Sequence, residues 1–319
     1  MKQKLKASKK RELLQNKENK SRVERLIQRA QATLSADLAT STHRAYASDW
    51  GDFQRFSSSL SQVCLPANTE IVVLYIQHMT DKNLKLNTIR RRLAAIRYYH
   101  FEADYDSPTE SVLVKKMLNA TSRQIGYQLD QKQALDVSSL KQMIDLMESK
   151  KLTHLRDRAM LLLGFSGGFR RSEVVNLRIE NMHFSGIHLR IHLPRSKTDQ
   201  MGKGLDKPIF GEKNSAYCPV SAIQEWLQAS MINTGYIFRR IRRGQTINLS
   251  EDKPLSAIAY TNCIKYYAEA IGLDSTCISG HSLRSGFVTS AALRGKDALQ
   301  IADVTKQDIR TVQRYMRKT

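Results

Sequence analysis

Cysteines are scarce in this sequence, and their spacing excludes several classes of protein. The four cysteines of the 319-residue chain include no Cys-x-x-Cys pair. We therefore expect a reducing compartment and no disulfide framework. No apolar run approaches the roughly 18–20 residues of a membrane span, and no secretory signal opens the chain. The sequence thus predicts a soluble, cytoplasmic protein that is not embedded in a membrane.

Residues that could hold a metal ion or a nucleotide are also few. The eight histidines show no spacing typical of a Cys/His metal site. His188 and His192 lie four residues apart, but in a stretch that alternates as a β-strand does, which favours two positions on a polar face. Neither a glycine-rich phosphate-binding loop nor a cluster of metal-binding carboxylates appears in the sequence. We expect a protein that uses no metal and no cofactor.

Acidic residues are outnumbered, with 30 Asp and Glu against 51 Lys and Arg, a formal net charge of +21 and a pI near 9.9. This balance indicates a polyanionic partner; nucleic acid is the leading candidate and an anionic membrane surface is the alternative. Residues 1–34 are interpreted as a basic arm, because eleven of the first thirty residues are basic and three are acidic. The arm is either a solvated tail or a segment that lies along phosphates, and the two interpretations are compatible.

The chain length is a weak indication of two domains. Residues 35–123 have the periodicity of a small all-α domain, with helices that begin near Ser41, Asn68, Asn87 and Ser107. The polar side of the third helix carries four arginines: Arg90, Arg91, Arg92 and Arg97. They form either a solvated face or a DNA contact, and the basic composition favours DNA. Residues 124–136 lose the helical pattern and are interpreted as an interdomain linker.

Residues 137–319 have the pattern of a mostly helical domain with one small sheet. Residues 187–193 alternate apolar and polar side chains as a strand does, and a hairpin follows at residues 194–204. Ser166-Gly167-Gly168 interrupts a helical pattern, so Arg170 is expected at the N-terminus of the next helix. Backbone N–H groups and the helix dipole favour an anion at such a position.

The C-terminal part of the sequence contains three more side chains that could act together. His281 and Arg284 are three residues apart, so both lie on one face of a helix and can point into one site. Tyr315 ends a later helical pattern. Its cationic neighbours in the sequence are Arg310, Arg314, Arg317 and Lys318. A phenol with its ordinary pKa of about 10 needs such neighbours, or a base, before it can attack.

Four segments of the chain, in this order, carry a resemblance to a known family. They are Phe169-Arg170-Arg171-Ser172-Glu173, Ser196-Lys197-Thr198-Asp199, His281-Ser282-Leu283-Arg284 and Tyr315. Together they resemble the active-site boxes of the tyrosine recombinases, the phage-integrase family to which the Cre-like and Xer-like enzymes belong. Any one box is unspecific, but four in order with family-like spacings are highly specific. The similarity covers roughly residues 40–317, and Thr88-Ile89 with Arg92-Leu93-Ala94-Ala95-Ile96 also resembles the family's N-terminal core-binding domain.

The resemblance implies a mainly α fold with an N-terminal all-α core-binding (SAM-like) domain at residues 35–123. A linker at residues 124–136 would lead to a catalytic domain at residues 137–319, mostly helical with a small antiparallel β-sheet. The implied function is site-specific DNA recombination through a 3′-phosphotyrosyl intermediate, for integration, excision or resolution of a mobile element. The implied partner is double-stranded DNA with paired recognition sites, bound by a homotetramer that is monomeric or weakly associated without DNA.

The resemblance also implies a role for each residue of the boxes. The implied catalytic residues are Arg170, Lys197, His281, Arg284, Lys306 and Tyr315, with Glu173 in a supporting, orienting role. The two arginines would clamp the scissile phosphate while Tyr315 attacks phosphorus. Lys197 would protonate the departing 5′-oxygen, and His281 would bind the phosphate or manage the tyrosine proton. The phosphotyrosyl link stores the bond, so strand exchange would need neither ATP nor a metal.

The sequence departs from the family pattern at Lys306. The family usually has His or Trp nine residues before the nucleophile, commonly after Gly, whereas this chain has Thr305-Lys306. A lysine can donate to a phosphate oxygen but cannot provide an aromatic surface. Lys306 is therefore expected to be a third cationic group of the site; the alternative is that it points to solvent. Only four residues follow Tyr315, where many relatives continue into a helix that docks on the neighbouring protomer.

Three functions remain open on the sequence alone. The first is an active site-specific recombinase. The second is a DNA-binding relative that has lost catalysis, an alternative supported by Lys306 and by the short segment after Tyr315. The third is a type IB topoisomerase-like enzyme, which would relax supercoils without a specific site.

Overall fold

The computed structural model describes residues 38–126, 132–148, 150–194 and 204–316, together with Leu26 and Arg29. The chain divides into two compact units, residues 1–129 and 130–319. Most of the basic arm at residues 1–34 lies outside the described residues, as do Lys197 and the rest of residues 195–203. Within the described part of the chain, no helix is both long and apolar enough to cross a membrane.

The described part of the first unit consists of helices packed around one apolar core. The α-helices are α1 (Thr40–Ser59), α2 (Thr69–Asp81), α3 (Leu86–Glu102) and α4 (Val112–Ile125). Apolar residues at helical spacing meet in the middle, and Phe53, Tyr75 and Ile89 are each 0% exposed. Burial of such a side chain stabilises the unit by about 1.5–3 kcal/mol.

Three side-chain caps set helix boundaries in this unit. The Asn68 side chain accepts a hydrogen bond from Ile71 N at 2.8 Å and begins α2 as predicted. The prediction of a helix beginning at Ser107 was wrong. Ser107 caps a short 3₁₀ helix (Pro108–Glu110), and Ser111 then caps α4 by accepting from Val114 N at 3.2 Å. A second capping residue four positions along therefore restarts the chain as an α-helix.

The second unit is mostly helical in its described part. Its α-helices are α5 (Val137–Asp145), α6 (Leu152–Ser166), α7 (Arg171–Val175), α8 (Pro219–Ser230), α9 (Ala257–Ala270), α10 (Ser282–Leu293), α11 (Ala298–Thr305) and α12 (Ile309–Met316). Helix α6 lies in the core, with every residue from Ala159 to Leu163 buried. The helix break that the glycines of the Ser166-Gly167-Gly168 sequence predict is confirmed.

A three-stranded antiparallel sheet accompanies these helices. Its strands are β1 (Met182–Ser185), β2 (His188–Leu193) and β3 (Leu205–Ile209), in that order across the sheet. Leu189 pairs with Ile209 and Ile191 pairs with Lys207, so alternate positions of β2 and β3 face the core. The predicted mainly α fold with a small antiparallel sheet is confirmed.

A short antiparallel pair was not predicted: β4 (Ile241–Arg242) and β5 (Thr246–Ile247). Each of these strands has only two residues, which is too short for alternation to appear in the sequence.

Helix α10 packs against the extended segment that precedes α5. Leu135 N donates to Ser282 O at 3.0 Å, at the first residue of α10. At Gly286 a Cβ would lie 1.6 Å from Leu135 O, so only glycine permits this approach. The contact fixes the helix that carries Arg284.

Candidate active site

Arg170 lies at the start of α7 and is held by a carboxylate on the same helix. Helix α6 ends at Ser166, and Gly168, with φ of +52°, turns the chain so that Arg170 is the N-cap of α7. Glu173 accepts two bonds from it: Arg170 N donates to Oε2 at 2.8 Å, and Nη1 donates to Oε1 at 2.7 Å. The Glu173 side chain is 5% exposed. Its carboxylate therefore both caps α7 and orients the guanidinium, which is consistent with the supporting role expected of it.

Arg284 is buried in the middle of the same region. It is 2% exposed and donates from Nη1 to Gly168 O and from Nη2 to Thr305 O. Burial and the positive charge of Arg170 lower its pKa to about 10. Because that electrostatic effect requires proximity, the structure brings together the two arginines that are 114 positions apart in the sequence.

Both arginines bind the C-terminal end of α11. Arg170 Nη2 donates to Lys306 O at 2.9 Å, while Arg284 donates to the preceding carbonyl, that of Thr305. The last carbonyls of a helix have no partner within the helix and carry the negative end of its dipole. Two adjacent carbonyls of α11 therefore set the spacing of the two guanidinium groups.

Lys306 takes part in the site through its backbone. It adopts the left-handed conformation, with φ of +50°, as the C-cap of α11. Its ammonium forms an ion pair with Asp303, one turn earlier, and its side chain is 37% exposed. Its positive charge acts on Lys207, which lies in the core beside the arginines. A direct role for this ammonium in catalysis stays a prediction.

Tyr315 lies in the last turn of α12. It packs against a small apolar cluster of Val288, Ile301 and Val312 and is half-buried. Its phenol interacts electrostatically with Arg284 and raises the pKa of that guanidinium against the lowering effect of burial. The predicted nucleophile and one predicted clamp residue therefore lie close together.

His281 stands at the N-cap of α10, one turn before Arg284, and is exposed. Its backbone N donates to Ser279 Oγ at 3.1 Å, and its carbonyl accepts from Ser285 N at 2.9 Å. Lys197, expected on the hairpin between β2 and β3, lies outside the described residues.

Lys207 is a residue of this region that sequence reasoning missed. It is 3% exposed on β3 and donates from Nζ to Gly167 O at 2.7 Å. Burial lowers its pKa to about 7; Glu173 opposes that shift, and the charges of Arg284, Arg170 and Lys306 add to it. The available signal was its position: Lys207 takes an inward place in the alternation of β3, where an apolar residue is expected.

The four arginines of α3 differ in their surroundings. Arg91 donates to Asp49 from Nε at 2.7 Å and from Nη2 at 3.0 Å. Arg92 pairs with Asp52 and donates to Tyr75 Oη at 3.2 Å, with its side chain 19% exposed. Arg97 pairs with Glu110 at 3.1 Å, with its guanidinium over the Phe101 ring. Arg90 is exposed and forms no ion pair with any described residue. Their binding of DNA stays a prediction.

Potential metal ligands do not cluster in the parts of the chain that the structure describes: no group of three or more His, Cys, Asp or Glu side chains could hold an ion there. His192 Nδ1 lies 2.7 Å from Asp206 Oδ1 across β2 and β3, and His188 lies on the same outer face of the sheet.

Comparison with known proteins gives matches over both units. The model of the phage integrase family matches residues 133–319, and that of the phage integrase N-terminal SAM-like domain matches residues 31–103. An integrase/recombinase xerD homolog from Selenomonas ruminantium is 36% identical over 299 residues, which covers 92% of this chain and 86% of that protein. Recombinase cre of Escherichia phage P1 is 24% identical over 245 residues, covering 72% of this chain and 70% of that protein.

Two solved structures show the same fold. A lambda integrase dimer bound to a COC′ core site matches with a TM-score of 0.58 at 14% identity, covering 91% of this chain and 75% of that one. The Tn1549 transposon integrase in complex with transposon right end DNA matches with a TM-score of 0.60 at 12% identity, covering 90% of this chain and 92% of that one. At such low identity these likenesses concern the fold alone.

Proposed function

The chain belongs to the phage integrase family of tyrosine recombinases, and from that premise we propose that Tyr315 attacks a DNA phosphate bound by Arg170 and Arg284. The protein is thus a site-specific DNA recombinase, and what we propose is the catalytic role of each residue. The observation that supports it is the bonding of the two guanidinium groups to the adjacent carbonyls of Thr305 and Lys306. A guanidinium has five N–H donors, so each arginine keeps donors for a phosphate after its bonds within the protein.

The proposed cleavage step exchanges one ester bond for another. The Tyr315 oxygen attacks phosphorus, the bond between phosphorus and the 5′-oxygen breaks, and a 3′-phosphotyrosyl link forms. His281 accepts the proton that the phenol loses, and Lys197 protonates the departing 5′-oxygen. Attack by the 5′-hydroxyl of another strand reverses the step and releases Tyr315. The bond energy is retained throughout, so the reaction requires no nucleotide and no metal.

Arg170 and Arg284 stabilise the charge that develops on the non-bridging oxygens. Their bonds to Glu173, Gly168, Thr305 and Lys306 fix both guanidinium groups before DNA arrives. Such preorganised donors contribute about 10²–10³-fold in rate each. The Lys306 ammonium pairs with Asp303, and its charge lies near the two arginines. It would add a third donor if it left Asp303 to bind the phosphate.

The proposed partner is double-stranded DNA with paired recognition sites, recombined in the cytoplasm by a homotetramer during integration, excision or resolution of a mobile element. The net charge of +21 supports a polyanionic partner. Residues 35–123 would bind DNA through Arg90, Arg91, Arg92 and Arg97, and residues 137–319 would hold the catalytic site after a linker at residues 124–136. The basic arm at residues 1–34 would lie along phosphates.

The test uses DNA sites selected from a random library by the wild-type protein. On a nicked suicide version of the selected site, wild-type protein should form a protease-sensitive covalent adduct. Tyr315→Phe should bind that site equally well and form none, because only the phenol oxygen is removed. An adduct that persists in Tyr315→Phe would overturn the assignment, and Tyr266, which is 66% exposed, would be the next tyrosine to test.

Binding without any adduct in the wild type would identify a DNA-binding relative that has lost catalysis. Relaxation of supercoiled DNA without a specific site would identify a topoisomerase-like enzyme instead.

A further inference from the structure

Lys207 occupies a position at which a charged side chain is costly. It faces the core from β3, opposite Ile191 of β2, and has 3% of its surface exposed. A buried ammonium destabilises a protein unless hydrogen bonds and opposite charges compensate for the lost water. The bonds that the ammonium makes therefore indicate the role of Lys207.

Its principal bond is to the turn that precedes Arg170. Nζ donates to Gly167 O at 2.7 Å and lies 4.6 Å from the centre of the Phe169 ring, whose face attracts cations. Gly167 is the C-cap of α6, so its carbonyl lies at the negative end of that helix dipole. The next carbonyl, that of Gly168, accepts the bond from Arg284. Two consecutive carbonyls of one turn therefore hold Lys207 and Arg284.

The charges around Lys207 do not balance in the DNA-free protein. Among the described residues that act on it, Glu173 of α7 favours the ammonium, and the same carboxylate binds Arg170. Arg170 at the N-cap of α7, Arg284 of α10 and Lys306 at the C-cap of α11 oppose it. The other strand in contact with β3 presents an apolar side chain, Ile191. With Asp303, which pairs with Lys306, two carboxylates face four cationic groups, and a bound phosphate would supply further negative charge.

We propose that Lys207 is a positioning residue for recombination: its ammonium holds the Gly167–Gly168 turn under Arg170 and Arg284, and the scissile phosphate stabilises that ammonium in return. This inference rests on the proposed binding of that phosphate by the two arginines. Lys207 acts through the turn, not through a bond to DNA. Because coupling between two binding events is reciprocal, phosphate binding and protonation of Lys207 favour each other.

The first measurement is the rate of single-turnover cleavage on a suicide substrate. Lys207→Met keeps the length of the side chain and removes its charge, so the turn loses its anchor. We expect cleavage to slow by about 10- to 100-fold, the size expected for a small displacement of a catalytic group. Lys213→Met, at an exposed lysine of the same unit, is the matched control and should cleave at the wild-type rate.

The second measurement is the number of protons taken up when site DNA binds, obtained by calorimetry at pH 8 in buffers of different ionisation enthalpy. The Lys207 pKa of about 7 in the free protein leaves it mostly neutral at this pH. Tyr315→Phe protein should therefore take up most of one proton per protomer, and the double variant with Lys207→Met should take up less by that amount. His281 is present in both proteins, so the difference reports Lys207.

The outcomes separate this inference from the proposed function. A wild-type protein that forms no Tyr315-dependent adduct contradicts the proposed function. If that adduct forms, and Lys207→Met cleaves within about twofold of the wild type with unchanged proton uptake, the positioning role alone is overturned.

Should Lys207→Met fail to fold, lysine-labelled NMR of Tyr315→Phe protein provides the same test. In the free protein, one lysine signal should titrate near neutral pH. The midpoint of that titration should move to higher pH when DNA binds. A midpoint that DNA leaves unchanged would overturn the inference.

Discussion

Glu173 offers a quantitative test of how the site is held before DNA binds. Its two carboxylate oxygens accept from Arg170 N at 2.8 Å and from Arg170 Nη1 at 2.7 Å, with the side chain 5% exposed. Glu173→Gln preserves the shape but replaces one acceptor oxygen with an NH₂ group. One of the two donors of Arg170 must then face another donor.

The structure sets the size of the expected effect. A hydrogen bond to a charged group contributes about 1.5–3 kcal/mol, and a partly buried donor that loses its acceptor adds a desolvation cost. The free energy of unfolding should therefore fall by roughly 2 kcal/mol. If the same loss weakens the hold on Arg170 in the transition state, cleavage should slow about 30-fold, since each 1.36 kcal/mol is tenfold in rate.

Urea unfolding of the DNA-free protein and single-turnover cleavage of a suicide substrate measure the two effects. Glu180→Gln is the control, because Glu180 accepts from Gly235 N at 2.7 Å and from Thr234 Oγ1 at 2.9 Å at one oxygen, Oε1, and the amide of Gln retains such an oxygen. That variant should retain both stability and cleavage. Wild-type cleavage by Glu173→Gln would show that the carboxylate only caps α7 and does not orient Arg170.

Three further predictions concern the lysines around the site. Lys306→Ala should slow cleavage about 10²-fold if the ammonium donates to the phosphate. Lys306→Gly removes the same ammonium but suits the left-handed backbone at φ of +50°, so it should be equally slow. Wild-type rates in both variants would exclude the side chain from the chemistry. Lys197→Ala should slow cleavage of ordinary DNA and be rescued by a 5′-bridging phosphorothiolate, whose sulfur leaves without protonation; equal slowing on both substrates would contradict general-acid catalysis. The Lys207 pKa of about 7 in the folded protein lies below the value near 10.4 of an unfolded lysine, so the unfolded chain holds one more proton between these values. The free energy of unfolding of the wild type should therefore rise by about 1.4 kcal/mol per pH unit in that window relative to Lys207→Met, and parallel pH curves for the two proteins would refute the shift.

Local sequence signals were sufficient to place Arg170 and Arg284 on their elements. The glycines before Arg170 predict a helix boundary, and the structure has α7 beginning there. The His-x-x-Arg spacing predicts one helical turn, and α10 contains it. Both signals act over fewer than five residues, within the range at which backbone conformation is set by neighbours in the chain.

The acceptors of the arginines could not be predicted in the same way. Gly168 O and Thr305 O lie 116 and 21 residues from Arg284 in sequence, and any residue type presents the same carbonyl. Lys207 was missed for a related reason: lysine is normally exposed, so composition suggests a surface position, and only the pairing of β3 with β2 turns it inward.

The two carbonyls at the end of α11 also determine which mutations preserve the geometry of the site. Point substitution replaces side chains and leaves carbonyl oxygens in place, so a substitution at residue 305 or 306 that keeps the backbone conformation also keeps the spacing of the two guanidinium groups. Insertions, deletions or a proline after Lys306 are different, because they alter the backbone path and pull residue 306 out of its left-handed conformation. Changes of chain length in this turn should therefore disturb the spacing of the two guanidinium groups more than substitutions of the residues that form it.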